Sequence, residues 1–299
     1  MRPHRSLFVR IFLSPEEKRL RAGWRLLVQT ILFFLFSTVL VAPAVLVFKN
    51  LRLPSTGMVN LVWEQIVELL SLTLSVYLAR RYLDRRSFGS FGLPLDRNMP
   101  GDMLAGVLIA GVMMGVIFLL HLLFGWTKTV AYAWQSMPPS AVLGKLGFWL
   151  LIFLIVGWKE ELWMRAYWLQ NLADGLNVPW AVFLSSAVFG LLHLGNPNAT
   201  WVSALGILLA GVFLALPWVW TRRLWLSIGL HLGWNFFEGA IFGFPVSGLD
   251  TFRLLQPVIR GPKLWTGGAF GPEAGLVVIP ALLLGAALVW GYAQWTTDA

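Results

Sequence analysis

Residues 146–172 read LGFWLLIFLIVGWKEELWMRAYWLQNL, and this stretch decides the class of fold. A run of about 20 apolar residues is long enough to cross a bilayer as one helix. Glu160, Glu161 and Arg165 lie inside the run, and aromatic and apolar residues continue beyond them. Ionisable residues inside a span cost a few kcal/mol each, so these three are candidates for function.

The composition extends this interpretation to the whole chain. Of 299 residues, 58% are hydrophobic and only 12% are charged, and the mean hydropathy is +0.71. One water-soluble core cannot bury that much apolar surface, so we predict an all-α, polytopic integral membrane protein surrounded by the lipid bilayer. The sequence contains no cysteine, which excludes disulfides and thiolate metal sites.

Apolar windows predict about eight transmembrane helices in a single domain, because no linker is long enough to separate two domains. The first window contains VAPA (41–44), which resembles a signal-peptide cleavage site. The apolar run continues past this motif, so a retained anchor is expected. The predicted spans are residues 25–48, 59–80, 101–125, 146–171, 179–197, 201–220, 224–244 and 273–296.

The net charge of +9 comes from Lys and Arg residues in short loops, which indicates membrane orientation and argues against a nucleic-acid partner. With eight spans, fourteen of these residues lie on the side of the basic leader (residues 1–24) and seven on the other side. The positive-inside rule therefore predicts that both termini are cytoplasmic. A compact chain without organelle-targeting signals suits a bacterial cytoplasmic membrane.

Polar side chains recur at helical spacing in three of the predicted spans. Glu161 and Arg165 are four residues apart with the acid first, which is the favourable sense for an ion pair on a helix. Glu160 lies about 100° around the helix from Glu161 and has no local partner. This free carboxylate is the candidate general base.

The two other spans carry histidines. Phe189 and His193 (FGLLH) share one face of the fifth span, and His231 and Asn235 (HLGWN) share one face of the seventh. A rise of about 1.5 Å per residue allows these groups and Glu160 to meet in one layer, in the middle to cytoplasmic half of the bilayer.

These motifs resemble the CPBP family of CAAX proteases and bacteriocin-processing (Abi) intramembrane proteases, which is related to the type II prenyl-protein endopeptidases. EELWMR (160–165) is similar to E-E-x-x-x-R, FGLLH to F-x-x-x-H and HLGWN to H-x-x-x-N, in the family's order. The basic stretch RRYLDRRSFGSFGLP (80–94) looks like the loop that often precedes the core of this family. The resemblance implies a catalytic core at residues 142–244. N-terminal helices (25–125) precede this core, and a non-cytoplasmic loop with the final span (245–299) follows it.

The family's pattern also implies the roles of the site residues. Glu160 would be the base that activates a water together with His193, and His231 and Asn235 would stabilise the oxyanion. Supporting roles fall to Glu161, Arg165 and Phe189. The family carries the label metalloprotease, and Glu160, His193 and His231 could bind zinc. The H-E-x-x-H pattern of soluble zinc proteases is absent, so routes with and without a metal both stay open.

The predicted function is therefore proteolysis of a membrane-bound peptide or protein, with the substrate and its prenylation left open. The alternatives are a non-catalytic scaffold or bacteriocin self-immunity protein, and a proton-coupled transporter, for which no inverted repeat is visible. Glu64 and Glu68 form an acidic pair that fits either substrate access or a structural role. Glu238 is expected to be supporting and His121 to be incidental.

Overall fold

The computed structural model describes residues 11–14, 19–50 and 57–297, without the side chains of residues 44, 46–50 and 297. Most of the basic leader predicted at residues 1–24 therefore lies outside the described residues. The fold consists of helices joined by short connections, with one small β ribbon. The α-helices are α1 (Ala22–Asn50), α2 (Gly57–Leu78), α3 (Met99–Leu123), α4 (Pro139–Glu161), α5 (Gln170–Gly175), α6 (Val178–Leu192), α7 (Trp201–Thr221), α8 (Trp225–Asn235), α9 (Lys263–Thr266) and α10 (Val278–Thr297).

The predicted all-α polytopic membrane protein is confirmed. Within the described residues, seven helices are long and apolar enough to cross a membrane. Several of them run on into π or 3-10 turns, so their membrane-crossing lengths exceed the α-helical bounds. These segments are Ala22–Pro43, Gly57–Leu83, Met99–Leu123, Pro139–Gly175, Val178–Gly195, Trp201–Thr221 and Val278–Thr296.

The eighth predicted span, residues 224–244, differs from the others. It forms the 11-residue helix α8, continued by a π turn at Phe236–Ile241, and every residue of α8 is buried. Glycines let α8 lie directly against α3, because a Cβ at Gly233 would come within 2.7 Å of the Cα of Val107 and one at Gly229 would collide with the carbonyl oxygen of Met103. The helix is therefore enclosed by its neighbours and has no lipid-facing side.

Local signals explain where the helices around α8 begin and end. The side chain of Asn177 accepts a hydrogen bond from the backbone of Trp180 and caps the start of α6. The helix ends at Leu192, five residues before the end of the predicted span. Pro197 accounts for this, because the residue before a proline is driven out of the helical region and Asn196 is extended, with ψ of 155°. As a result His193 lies at the end of its helix.

The only sheet among the described residues is an antiparallel ribbon of β1 (Thr127–Tyr132) and β2 (Leu255–Ile259). β2 belongs to the long connection between α8 and α10. Residues 245–275 of that connection, which we call the roof segment, cover one end of the helices. A 3-10 turn at Pro272–Ala274 leads into α10, which begins at Val278, five residues after the predicted start of the last span.

The basic stretch at residues 80–94 contains a buried ionic cluster. The fully buried carboxylate of Asp84 accepts hydrogen bonds from Arg25 and Arg80, each at 3.0 Å, and from Asn171 at 3.2 Å. Arg25 belongs to α1 and Asn171 to α5, so Asp84 joins the N-terminal helix to the segment that follows Glu160 and Glu161.

We expect Asp84→Ala to lower the free energy of unfolding by about 3–5 kcal/mol, because the buried guanidinium of Arg80 would lose its counter-ion and that of Arg25 would keep only the more distant Asp174, at 3.7 Å. Thermal melting in detergent measures the effect. Asp250→Ala is the matched control, since Asp250 pairs with Arg253 at the surface and is 84% exposed. Equal melting temperatures for the two variants would contradict this role of Asp84.

Candidate active site

Side chains from three parts of the chain line one cavity of about 110 Å³ beside α8. Glu160 comes from the end of α4, His193 from the turn after α6, and His231 and Asn235 from α8. A cavity of this size holds several water molecules. The structure thus brings together all four side chains that the sequence predicted to be catalytic.

Glu161 is the central acceptor beside this cavity. It is fully buried, and its Oε1 atom accepts hydrogen bonds from Arg165 at 3.0 Å and from Nδ1 of His231 at 2.7 Å. Arg165 also donates to the carbonyl oxygen of Gly211 in α7 at 3.2 Å. The expected pair of Glu161 and Arg165 therefore has a third member, because the same carboxylate orients His231.

The close approach of α4 to α8 depends on Gly157. A Cβ at this position would lie 3.3 Å from the backbone nitrogen of Leu232 and 3.6 Å from the Cβ of His231. With only hydrogen at this position, the helices approach closely enough for Glu160 and Glu161, one turn later, to reach His231.

His193 has one ring nitrogen fixed by its own helix. Its Nδ1 lies 2.7 Å from the carbonyl oxygen of Phe189. Because a carbonyl can only accept, Nδ1 carries the proton, and Nε2 of the neutral ring is an acceptor. A water in the cavity can therefore donate to His193.

The side chains of Glu160 and His231 lie close together. Nε2 of His231 is 3.6 Å from Oε2 of Glu160, and that oxygen is buried without a hydrogen-bond partner among the described residues. Unpartnered buried carboxylate oxygens are rare, because they forgo the hydrogen bonds that water would supply. The vacant acceptor faces the cavity, where a water would satisfy it.

Phe189 packs among these groups. The guanidinium carbon of Arg165 lies 4.3 Å from the centre of its ring, and the ring of His193 contacts it edge-on at 4.6 Å. The ring of His231 lies 6.2 Å away in a similar edge-on arrangement. Phe189 thus spaces both histidines and covers the arginine, which fits the supporting role predicted for it.

Asn235 is buried beside the cavity, one turn after His231. Its side chain makes no hydrogen bond to another described residue, so its amide N–H groups are available to a ligand in the cavity. Together with His231, it can present donors to one point.

Comparison with protein families identifies the segment that carries these residues. Residues 142–237 match the family described as type II CAAX prenyl endopeptidase, Rce1-like. We call this segment the Rce1-like domain, after the family that it matches. Comparison with curated proteins finds no match.

Two π turns adjoin the positions in the Rce1-like domain that the sequence predicts to be catalytic. One spans Leu162–Leu169, directly after Glu161, and the other spans Phe236–Ile241, directly after Asn235. Such turns are rare and occur frequently at functional sites. Arg165 lies within the first turn and still reaches Glu161.

The geometry of the Rce1-like domain bears on the predicted zinc ligands. Among the described residues, no group of three or more His, Asp or Glu side chains is arranged to hold a metal ion. Glu160 and His231 approach each other, but His193 does not complete a cluster with them. The zinc set therefore stays a prediction.

Three polar residues of the cavity wall were not predicted from the sequence. Asn196 follows His193, while Ser247 and Glu273 belong to the roof segment, beyond the Rce1-like domain. No helical spacing connects the roof segment with the motifs, so periodicity gave no signal for these residues. A lone acid within the Gly- and Pro-rich stretch GGAFGPEAG (267–275) was the available hint.

The remaining candidates lie apart from the cavity. Glu68 pairs with Lys159, and both Glu64 and Glu68 line a separate recess between α1 and α2. His121 is buried and shares a hydrogen bond with Thr127 at 3.0 Å, which indicates a structural role. Glu238 is fully buried, and neither of its carboxylate oxygens has a hydrogen-bond partner among the described residues.

Proposed function

We propose that this protein is an intramembrane endopeptidase that hydrolyses a peptide bond of a membrane-associated protein or peptide. The observation that carries the proposal is the shared cavity of Glu160, His193, His231 and Asn235. The Rce1-like domain supports a peptidase of the CAAX type. We further propose that α8 with its π turn crosses the membrane as the eighth, protein-enclosed span, and that both termini are therefore cytoplasmic, in a bacterial cytoplasmic membrane.

The first chemical step needs a base and a holder for water. A water in the cavity donates one hydrogen bond to the free Oε2 of Glu160 and the other to Nε2 of His193. Glu160 removes a proton as the water oxygen attacks the carbonyl carbon of the substrate. A bond forms between the water oxygen and the carbonyl carbon. The π electrons of the carbonyl group move to the carbonyl oxygen, which becomes an oxyanion.

The second step needs donors for the oxyanion and a proton for the leaving group. Nε2–H of a doubly protonated His231 and the amide of Asn235 donate to the oxyanion. The carboxylate of Glu161 holds the other nitrogen of that ring. Collapse of the intermediate breaks the C–N bond, and Glu160 returns its proton to the departing amine. The products are a carboxylic acid and an amine, which become a carboxylate and an ammonium group by proton exchange, and Glu160 ends as the carboxylate that it was at the start.

Cleavage of defined substrates by purified protein in liposomes tests this function. Two peptides of one sequence, anchored by a prenyl group or by a transmembrane helix, are incubated with the protein, and the products are identified by mass spectrometry. We expect cleavage of at least one peptide by the wild type and none by His193→Ala. Equal turnover by both proteins would exclude the mechanism. Proton-coupled uptake without cleavage would instead favour a transporter.

A chelator tests the route without a metal. Because the described residues form no three-ligand cluster, we expect the cleavage rate to survive dialysis against a chelator, with less than one equivalent of zinc bound by elemental analysis. Loss of cleavage on chelation and its return with zinc would contradict this expectation and support the predicted set of Glu160, His193 and His231.

A further inference from the structure

We propose that Glu273 is a positioning residue of the active site, which holds the roof segment closed over the cavity. It does so by accepting hydrogen bonds from Trp234 in α8 and from Ser247 in the roof segment. The role in catalysis rests on the proposed function, whereas the closure of the cavity does not depend on it.

The contacts of Glu273 join two parts of the cavity wall. Its Oε1 accepts from the indole N–H of Trp234 at 3.1 Å, and its Oε2 accepts from the hydroxyl of Ser247 at 2.5 Å. Glu273 is only 4% exposed, and hydrogen bonds to a buried carboxylate are among the stronger ones. Trp234 directly precedes Asn235, so the same carboxylate that holds the roof also fixes the backbone beside an oxyanion donor.

A second connection reaches the turn of His193. The side chain of Asn196, three residues after His193, donates to the carbonyl oxygen of Ser247 at 3.0 Å. Ser247 adopts a left-handed conformation, with φ of +46°, which is costly for a residue with a side chain. Such a conformation persists only where the surroundings impose it. Here Ser247 is held by two hydrogen bonds, one from its hydroxyl to Glu273 and one from Asn196 to its carbonyl oxygen.

The main chain of the roof segment is also seated closely. A Cβ at Gly206 of α7 would collide with the carbonyl oxygen of Glu273, and one at Gly248 would collide with that of Pro197. The backbone of the roof segment therefore contacts its neighbours directly. The side chain of Glu273 adds a hydrogen bond to α8, through Trp234.

Substrate must displace part of this wall. Ligand sites commonly enclose about 300–1,000 Å³, whereas this cavity measures about 110 Å³. The other walls are formed by helices α4, α6, α7, α8 and α10 and by the turn after α6. The roof segment has no helix longer than the four residues of α9. The roof segment has the least regular structure of these walls, so we expect it to open at the lowest free-energy cost. Glu273 is the side chain that connects it to α8.

The cysteine-free chain makes closure measurable. Ala210→Cys introduces one thiol on α7, where Ala210 lines the cavity and is 8% exposed. In detergent, we expect Glu273→Ala to raise the labelling rate of this thiol by a charged maleimide about tenfold or more, because two hydrogen bonds to a carboxylate are lost. Glu273→Gln should label like the parent, since glutamine can accept from Trp234 and donate to the oxygen of Ser247.

Control positions separate opening of the roof from unfolding. Leu249→Cys, at a 49% exposed residue, should label rapidly in every background, and Ser227→Cys, at a fully buried residue of α8, should label slowly. Glu64→Gln changes a carboxylate of the separate recess between α1 and α2, and should leave the Ala210→Cys rate unchanged. If Glu273→Ala does not fold, Trp234→Phe and Ser247→Ala remove one hydrogen bond each and should give intermediate rates.

Two results would overturn the proposal: unchanged labelling in Glu273→Ala with Ser227→Cys still protected, or labelling in Glu273→Gln as fast as in Glu273→Ala. In the cleavage assay we expect Glu273→Ala to lower kcat and Glu273→Gln to restore it. A wild type that cleaves no peptide would refute the proposed function and leave the labelling result standing. Cleavage with unchanged labelling would refute the role of Glu273 alone.

Discussion

Replacing Glu160 with glutamine is expected to lower the rate of peptide-bond cleavage by about 10²–10⁴-fold, the usual contribution of a positioned general base. Glutamine has nearly the same size and keeps an acceptor oxygen, but its amide cannot take a proton from water. Because Oε2 of Glu160 has no protein partner among the described residues, the substitution breaks no hydrogen bond of the fold. We therefore expect an unchanged melting temperature.

Single-turnover cleavage, measured beside thermal melting, checks this expectation. Glu64→Gln is the matched control, because Glu64 also lies in a predicted membrane span but borders the separate recess between α1 and α2. That variant should cleave at the wild-type rate. A Glu160→Gln variant that keeps more than about a tenth of the wild-type rate would show that another group serves as the base.

Glu161→Ala is expected to have the larger effect on stability. Its carboxylate is shared by Arg165 and His231, both of them buried. Removing it leaves a guanidinium without a counter-ion, which costs about 3–5 kcal/mol of unfolding free energy. Cleavage should fall below detection as well, because His231 would lose the acceptor that orients its ring.

A double substitution separates these two effects. Glu161→Leu combined with Arg165→Met removes both charges and fills a similar volume, and such replacements of buried ion pairs are often neutral. We expect the double variant to recover most of the melting temperature that Glu161→Ala loses, and still to lack cleavage because His231 remains unoriented. Recovery of cleavage would show that Glu161 serves only to neutralise Arg165.

The sequence was sufficient to predict the four residues of the cavity. Three short motifs at helical spacing identify Glu160, His193, His231 and Asn235, since charged and imidazole side chains are conspicuous among apolar residues. The sequence alone could not predict the hydrogen bond from His231 to Glu161. The rotation of α4 against α8 decides which of the two adjacent glutamates contacts His231, 70 residues away. That rotation, and the contact of Gly157 with α8, are visible only in the folded structure.

The roof segment was unpredictable for a different reason. Residues 245–275 have neither helical nor strand periodicity over most of their length, and the tie between Ser247 and Glu273 depends on how the loop folds back. The burial of α8 was hidden as well, because its apolar composition is the same whether it faces lipid or protein. In the sequence, only Gly229 and Gly233 distinguish an enclosed helix from a lipid-facing one. They indicate a close contact with another helix, but they do not show which helix that is.

Because α8 is enclosed by protein, its position is shielded from changes in the thickness of the bilayer. Lipid-facing helices adapt to thinner or thicker membranes by tilting, and α10 and α1 each present exposed apolar faces to such forces. The helix that carries His231 and Asn235 touches only protein, so a change in acyl-chain length reaches it after passing through its neighbours. The positions of His231 and Asn235 are thereby insulated from the lipid composition of the membrane, whereas Glu160 and His193 belong to membrane-length helices with exposed apolar residues.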